Sequence, residues 1–224
     1  YSTVTKYNNP TNILSTDYTG KRVGEIWGYT TEGLIQTQEE ADQIMQSGYQ
    51  KFFHSVWNTG DVKYADLNND GVVNNGKNTL EDHGDLSVIG NTTPRYQFSF
   101  TLGAEYKNFD FSMMWQGVAK RDLWLDSNMF WGFTTWVQSS LFKNEHLDYF
   151  RDQEGDKYVG LGMNTDAYFP RPYLNNELNN KNRKTQTRYI QNGAYLRLKN
   201  LQIGYTIPTV SYTHLRAHET RSNL

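Results

Sequence analysis

The sequence predicts an all-β chain: an open, curved antiparallel sheet of about four strands, with long loops and one short helix. Two stretches alternate apolar and polar residues with the period of two that marks a strand, at 95–118 and at 189–207. The segments before and between them are long, polar and rich in Asn and Gly. Loops of that length are uncommon in compact domains, so they are predicted to be functional or to belong to a larger architecture.

The first alternating stretch is predicted to be a hairpin that turns at Lys107 and Asn108. Each strand has the roughly 10 residues that a tilted membrane strand needs. One face of the hairpin is apolar, and its residues are Phe98, Phe100, Leu102, Ala104 and Tyr106, then Phe109, Phe111, Met113 and Trp115. That face is expected to contact either lipid or a protein core.

The second alternating stretch changes phase along its length. Its apolar residues switch parity at Lys199 and Asn200, which predicts a bulge or a turn at that point. The residues concerned are Leu196 and Leu198 before it, and Leu201, Ile203, Tyr205 and Ile207 after it.

The clearest helix start lies at Thr37. Thr37 and Glu40 have the spacing of a capping box, and Gly48 supplies a stop. Between them, Ala41, Ile44 and Met45 form one apolar face. A short surface helix in a polar region is therefore predicted.

Composition narrows the possible functions. The formal net charge is −2, which gives no indication of nucleic-acid binding, and the absence of Cys excludes disulfides and thiolate metal sites. No apolar run reaches the length of a membrane helix. The chain has no nucleophile elbow, phosphate loop or His-rich metal cluster, so an enzyme is not predicted. It begins at Tyr1 rather than at an initiator Met, and it is expected to be a fragment.

An Asp- and Asn-rich loop is a candidate calcium site. The residues from Asp66 to Gly71 resemble the first half of an EF-hand-type loop, in which alternate oxygens surround a hard cation. The twelfth position is Lys77 rather than an acid, so a more distant carboxylate would have to close the site. The candidate ligands are Asp66, Asn68, Asp70, Asn74, Asp82 and Asp85. The alternative is a turn held by side-chain-to-backbone hydrogen bonds.

Three tryptophans in the loop after the hairpin, Trp124, Trp131 and Trp136, are candidate ligand contacts. Aromatic planes suit the apolar CH faces of sugar rings. Alternatively these rings pack the loops together or lie in a membrane-interface belt.

Three segments, in order, resemble the C-terminal part of SusC/RagA-family TonB-dependent outer-membrane transporters. They are VGEIWGYTTEGL at 23–34, the segment 64–122 that contains YADLNNDGVVNNG and the hairpin, and AYLRLKNLQIGYTIP at 194–208. The resemblance implies a partial transmembrane antiparallel β-barrel in the bacterial outer membrane. It implies import of glycans or peptides, a SusD-type surface lipoprotein as lid, and energy from the TonB complex through a missing N-terminal part.

On this basis the chain divides into five segments. Residues 1–94 are expected to be an extracellular region with the helix and the Asp66 loop, 95–118 a transmembrane hairpin, and 119–187 a long extracellular loop. Residues 188–210 are expected to be transmembrane strands, and 211–224 a non-native tail. Short turns belong to the periplasmic side, so Lys107 and Asn108 should face the periplasm.

The alternative function is a soluble extracellular β-sandwich, a carbohydrate-binding module with a structural calcium. It would bury Phe98, Phe100, Phe111 and Trp115 against a second sheet. A sandwich favours turns every 8–12 residues, whereas this chain has very long loops. If the chain is a barrel fragment, it should show an open sheet with extended loops and weak tertiary contacts.

Overall fold

The computed structural model describes residues 2–132, 144–152 and 161–207. The chain divides into two compact units. The loop unit comprises Tyr1–Thr93 and Asp122–Asn192, and the sheet unit comprises Pro94–Arg121 and Gly193–Leu224. Residues from both predicted extracellular segments, 1–94 and 119–187, thus pack in one unit. The predicted tail at 211–224 lies outside the described residues.

The elements are mostly strands, as predicted. The strands are β1 (Glu25–Tyr29), β2 (Thr31–Leu34), β3 (Val62–Tyr64), β4 (Leu86–Asn91), β5 (Arg95–Tyr106), β6 (Phe109–Lys120), β7 (Asp122–Leu123), β8 (Gln191–Asn192) and β9 (Tyr195–Tyr205). The α-helices are α1 (Gln38–Ser47), α2 (Asn128–Trp131) and α3 (Asn176–Asn182). None of the helices in the described ranges is long and apolar enough to cross a lipid bilayer.

The described residues of the loop unit form three small antiparallel sheets, which pair β1 with β4, β2 with β3, and β7 with β8. Its hydrophobic core is rich in aromatic rings from both of its chain segments. Trp57 and Tyr64 come from the first segment, Phe150 and Tyr189 from the second, and each is at most 1% exposed. The expectation of extended loops with weak tertiary contacts was therefore wrong, because these rings bury one another across more than 80 residues of sequence.

A buried ion pair joins the two segments of the loop unit. The Asp61 carboxylate accepts hydrogen bonds from Lys181 Nζ at 2.5 Å, from the Tyr173 hydroxyl at 2.9 Å and from Asn182 Nδ2 at 2.7 Å. Lys181 also donates to the Val56 carbonyl at 2.7 Å. Both side chains of the ion pair are fully buried, and burial lowers the pKa of Lys181 while Asp61 partly restores it.

Helix α1 forms where the capping signal predicts it. The Thr37 hydroxyl accepts a hydrogen bond from the Glu40 amide at 3.2 Å, and Gly48 ends the helix in the left-handed region with φ 74°. The reciprocal half of the predicted capping box differs by one residue, since the Glu40 carboxylate accepts from the Gln36 amide. The helix buries Ala41 against the core of the loop unit, so it is less peripheral than predicted.

The sheet unit contains the predicted hairpin. Strands β5 and β6 pair in the expected register, with Tyr106 opposite Phe109 and Leu102 opposite Met113. The turn residue Lys107 has φ 56°, the left-handed conformation that two-residue hairpin turns require. β6 continues to 120, two residues beyond the predicted end of the hairpin.

Strand β9 pairs with the other edge of β6 and confirms the predicted bulge. Trp115 lies opposite Leu198 and Met114 opposite Asn200, so Lys199 is the extra residue. The sheet order is β5-β6-β9, three strands rather than about four. The predicted strand segment 188–210 is divided: its first strand, β8, pairs with β7 in the loop unit, and only β9 joins this sheet.

The bulge aligns the apolar residues of all three strands on one face. Because a one-residue slip reverses the face of every following side chain, the extra residue cancels the phase change in the sequence. The five residues of the alternating apolar pattern in β9 therefore pair with odd-numbered residues of β6: Leu196 with Gly117, Leu198 with Trp115, Leu201 with Met113, Ile203 with Phe111, and Tyr205 with Phe109.

This apolar face is largely exposed. Phe98 and Phe100 are each 41% exposed, Leu102 is 49% and Ile203 is 73%. The sandwich alternative requires the burial of such residues against a second sheet, and the described part of the chain provides no such burial for Phe98 and Phe100.

Candidate functional site

An open cleft of about 630 Å³ in the loop unit is the candidate functional site. Its volume lies within the range of small-molecule sites. It is lined by Leu125, Ser127, Met129, Phe130, Glu145, His146, Asp148, Tyr168, Phe169 and Gln191.

Helix α2 sets one side of the cleft. The Ser127 hydroxyl caps its first turn by accepting from the Phe130 amide at 3.3 Å. The single turn directs Met129 outward, where it is 69% exposed, and Trp131 into the core, where it is 6% exposed. The helix ends at Gly132, whose φ of 72° is in the left-handed region.

A 3₁₀ turn at Asn144–Leu147 forms the next side. The buried His146 ties this turn to α2, because its Nε2 lies 3.2 Å from the Phe130 carbonyl, which can only accept. Nε2 therefore carries the proton. With His146 held inward, the neighbouring Glu145 is left exposed at the cleft.

The third side is held by backbone pairing between two loops. The Phe150 amide donates to the Phe169 carbonyl at 3.1 Å, and the Phe169 amide donates to the Asp148 carbonyl at 2.9 Å. The Asp148 carboxylate is exposed and accepts from Asn164 Nδ2 at 2.7 Å. Gln191 Nε2 donates to the Tyr168 hydroxyl at 2.8 Å, which fixes that ring at the edge of the cleft.

The lining combines apolar and aromatic surface with two carboxylates. No Lys or Arg is among the described residues that line it. Such a site suits a ligand with apolar CH faces and hydrogen-bond donors, and Glu145 and Asp148 would repel an anion. Sequence reasoning missed Glu145 and Asp148, and it also missed Tyr168 and Gln191. No periodicity marks the segments of the first three, and the alternation at 189–207 does not indicate a ligand contact at Gln191.

The three candidate tryptophans have different positions. Trp131 packs in the core at 4.8 Å from the Tyr189 ring centroid, so its ring packs the loops together, as the alternative interpretation proposed. Trp124 is half-buried against the same core, 6.1 Å from Trp131. Trp136 lies outside the described residues.

The Asp66 loop is held by hydrogen bonds from side chains to the backbone. The Asp66 carboxylate accepts from the amides of Asn69 at 2.6 Å and of Gly71 at 2.8 Å. The Asn68 and Asp70 side chains each accept from the amide two residues later. Burial opposes ionisation of Asp66, but these amide donors prevail and lower the pKa of the carboxyl group.

Two other candidate ligands, Asp85 and Asn74, are brought to this loop, while Asp82 is engaged elsewhere. The buried Asp85 carboxylate accepts from the amides of Leu67 at 2.7 Å and of Asn74 at 2.8 Å. Asn74 Oδ1 accepts from the Gly76 amide at 2.6 Å. Asp82 forms a 3.6 Å ion pair with Lys77. Within the described ranges, no group of three acidic or histidine side chains is arranged to hold a metal ion, and the calcium site stays a prediction.

Comparison with known proteins gives one informative match. No family model matches the chain. Over 189 residues, or 84% of its length, the chain is 24% identical to a TonB-dependent receptor of Formosa agariphila. This similarity supports the TonB-dependent receptor family. A match of this extent includes residues of both units, since neither unit alone is that long. The chain spans 16% of the length of that TonB-dependent receptor.

Proposed function

We propose that this chain is a fragment of a SusC/RagA-type TonB-dependent transporter of the bacterial outer membrane, and not an enzyme. The observation that carries the proposal is the three-stranded sheet of 11- and 12-residue strands with a continuous apolar face. Strands of that length with an outward apolar face are what a transmembrane barrel requires. The similarity to a TonB-dependent receptor supports the same proposal.

In this proposal the two faces of the sheet have different environments. The face of Leu102 and Ile203 contacts lipid, and the opposite face, with Thr101 and Gln202, lines the polar interior of a barrel. The two-residue turn at Lys107 lies on the periplasmic side, because short turns belong there.

The loop unit is proposed to be extracellular and to contact the ligand through its cleft. A glycan or a peptide fits the combination of apolar surface and hydrogen-bond acceptors. The carboxylates of Glu145 and Asp148 disfavour acidic ligands such as sulfated or uronic-acid glycans. Capture would involve a SusD-type surface lipoprotein, and uptake would draw energy from the TonB complex; both partners rest on the family resemblance.

Fractionation of cells that express the full-length protein tests the proposal. We expect recovery in the outer-membrane fraction and solubilisation only by detergent. Recovery in the soluble fraction without detergent would instead favour a secreted binding module.

A further inference from the structure

A second, much smaller cavity in the loop unit holds hydrogen-bond donors without partners. The cavity measures about 20 Å³ and lies between α2, the 3₁₀ turn and α3. Its lining residues are Trp131, His146, Tyr149, Phe169, Pro170, Arg171, Pro172, Asn179, Asn182 and Arg183. In the described part of the chain, the buried side-chain donors without a partner are Trp131 Nε1 and Arg171 Nε, and both residues line this cavity.

An unpaired buried donor is costly, so two beside one cavity indicate that an acceptor binds there. Another nitrogen of the Arg171 guanidinium is already engaged, because Nη2 donates to Thr59 Oγ1 at 2.8 Å and pairs with Asp152. Trp131 is 6% exposed, which leaves its indole nitrogen little access to bulk water.

The two side-chain amide oxygens at the cavity each already accept a hydrogen bond. Asn179 Oδ1 accepts from the Tyr173 amide at 2.9 Å, and Asn182 Oδ1 accepts from the Val62 amide at 2.9 Å. His146 presents its Nε2 proton to the Phe130 carbonyl. These two amide oxygens therefore bond to backbone amides rather than to Trp131 Nε1 or Arg171 Nε.

The charged side chains among the described residues that line the cavity are both positive. Arg171 and Arg183 line it, and no Asp or Glu does so among the described residues. The Arg183 guanidinium lies 5.7 Å from the Trp131 ring, and burial lowers its pKa against the opposing effect of Asp126. A bound anion would offset the cost of burying this positive charge.

We propose that this cavity binds a single halide ion, chloride in the native environment, through Trp131 Nε1 and Arg171 Nε. The size of the cavity selects the ligand, because about one probe sphere of space accommodates a water or a monatomic ion but not a sulfate or a carboxylate group. The site ties α2 to the loop that carries Arg171 and is separate from the open cleft.

Thermal melting of the full-length protein tests this site. The melting temperature should rise saturably with chloride and with bromide at constant ionic strength, with gluconate as the replacement anion because it is too large for the cavity. Trp131→Phe and Arg171→Lys each remove one donor while keeping the ring or the charge, and each should weaken the halide dependence about tenfold or more. Trp124→Phe, at the neighbouring ring, is the matched control and should keep the wild-type halide dependence.

Crystals soaked in bromide give an independent readout that does not depend on the folding of any variant. An anomalous difference peak in the cavity is expected. Equal melting temperatures in chloride and gluconate, or a cavity that contains only water after the bromide soak, would overturn the proposal.

Discussion

At the scale of single residues, the ion pair of Lys181 and Asp61 is the one whose two side chains are both fully buried among the described residues. The carboxylate is fully buried and relies on Lys181 for charge compensation. Its other partners, the Asn58 amide, Tyr173 and Asn182, are neutral donors. Removing one member of such a pair strands the other charge in the core.

Lys181→Met should therefore lower the free energy of unfolding by about 3–5 kcal/mol. Lys77→Met is the matched control, because Lys77 forms an exposed pair with Asp82 and its removal should cost less than about 1 kcal/mol. Equilibrium unfolding in urea measures both variants. Similar losses of unfolding free energy in the two variants would contradict the prediction that burial makes the Lys181 pair more costly to break.

The lowered pKa of the Asp66 carboxyl group predicts that the stability of the loop around it depends on pH. Its pKa is lowered from 3.8 in the folded protein, so its ionised form is the one that folding favours. The stabilisation is complete above about pH 5, and it is lost as the pH falls through 3.8 towards the lower folded pKa. Hydrogen exchange of the Asn69 and Gly71 amides should accelerate over that range relative to unstructured controls. An Asp66→Asn variant should lack this acid dependence, and an unchanged profile in the variant would contradict the assignment.

At the scale of elements, the Lys199 bulge is the feature that most directly shapes the sheet. Asn200 and Leu198 already pair with adjacent residues of β6, so Lys199 contributes no ladder partner. Its deletion should leave Leu196, Leu198, Leu201, Ile203 and Tyr205 on the apolar face.

We therefore expect the Lys199 deletion to assemble in the membrane at close to the wild-type level. Deletion of Gln202, three positions away, is the matched control. Loss of the Lys199 bulge would restore the pairing of the residues that follow position 202. Even then, the deletion of Gln202 moves Leu201 to the polar face and Asn200 to the apolar face. The fraction of folded protein in isolated outer membranes measures both. Equal assembly of the two deletions would contradict the register described for β9.

The hairpin and the bulge were predictable because they depend on local alternation. Period two fixed which residues share a face, and the phase change at Lys199 revealed the extra residue. The core of the loop unit was not predictable in this way. Its aromatic rings, such as Trp57 and Tyr189, come from distant segments with no periodic pattern, so nothing local identifies their partners.

The candidate sites also differ in how far local sequence predicts them. Asp66 and its neighbours were found from their spacing, but the part played by the buried Asp85 depends on a contact 18 residues away in sequence. The lining of the cleft includes Glu145, Asp148 and Gln191, which only the tertiary fold brings together.

At the scale of the whole molecule, the two units differ in whether their apolar side chains are buried or exposed. The loop unit buries a mixed aromatic and polar core, as a water-soluble domain does. The sheet unit exposes an apolar face that continues over three strands, which is unfavourable in water and favourable in lipid. This contrast supports the proposal that the sheet contacts lipid.

Lipid contact at the sheet is the central claim, and site-specific fluorescence quenching tests it most directly. The chain has no Cys, so Leu102→Cys and Thr101→Cys can each be labelled at one position once other cysteines of the full-length protein are removed. The two residues are adjacent at mid-strand but face opposite sides of β5. In vesicles with spin-labelled acyl chains, the probe at 102 should be quenched strongly and the probe at 101 weakly. Equal quenching at the two positions, or none at either, would contradict the account.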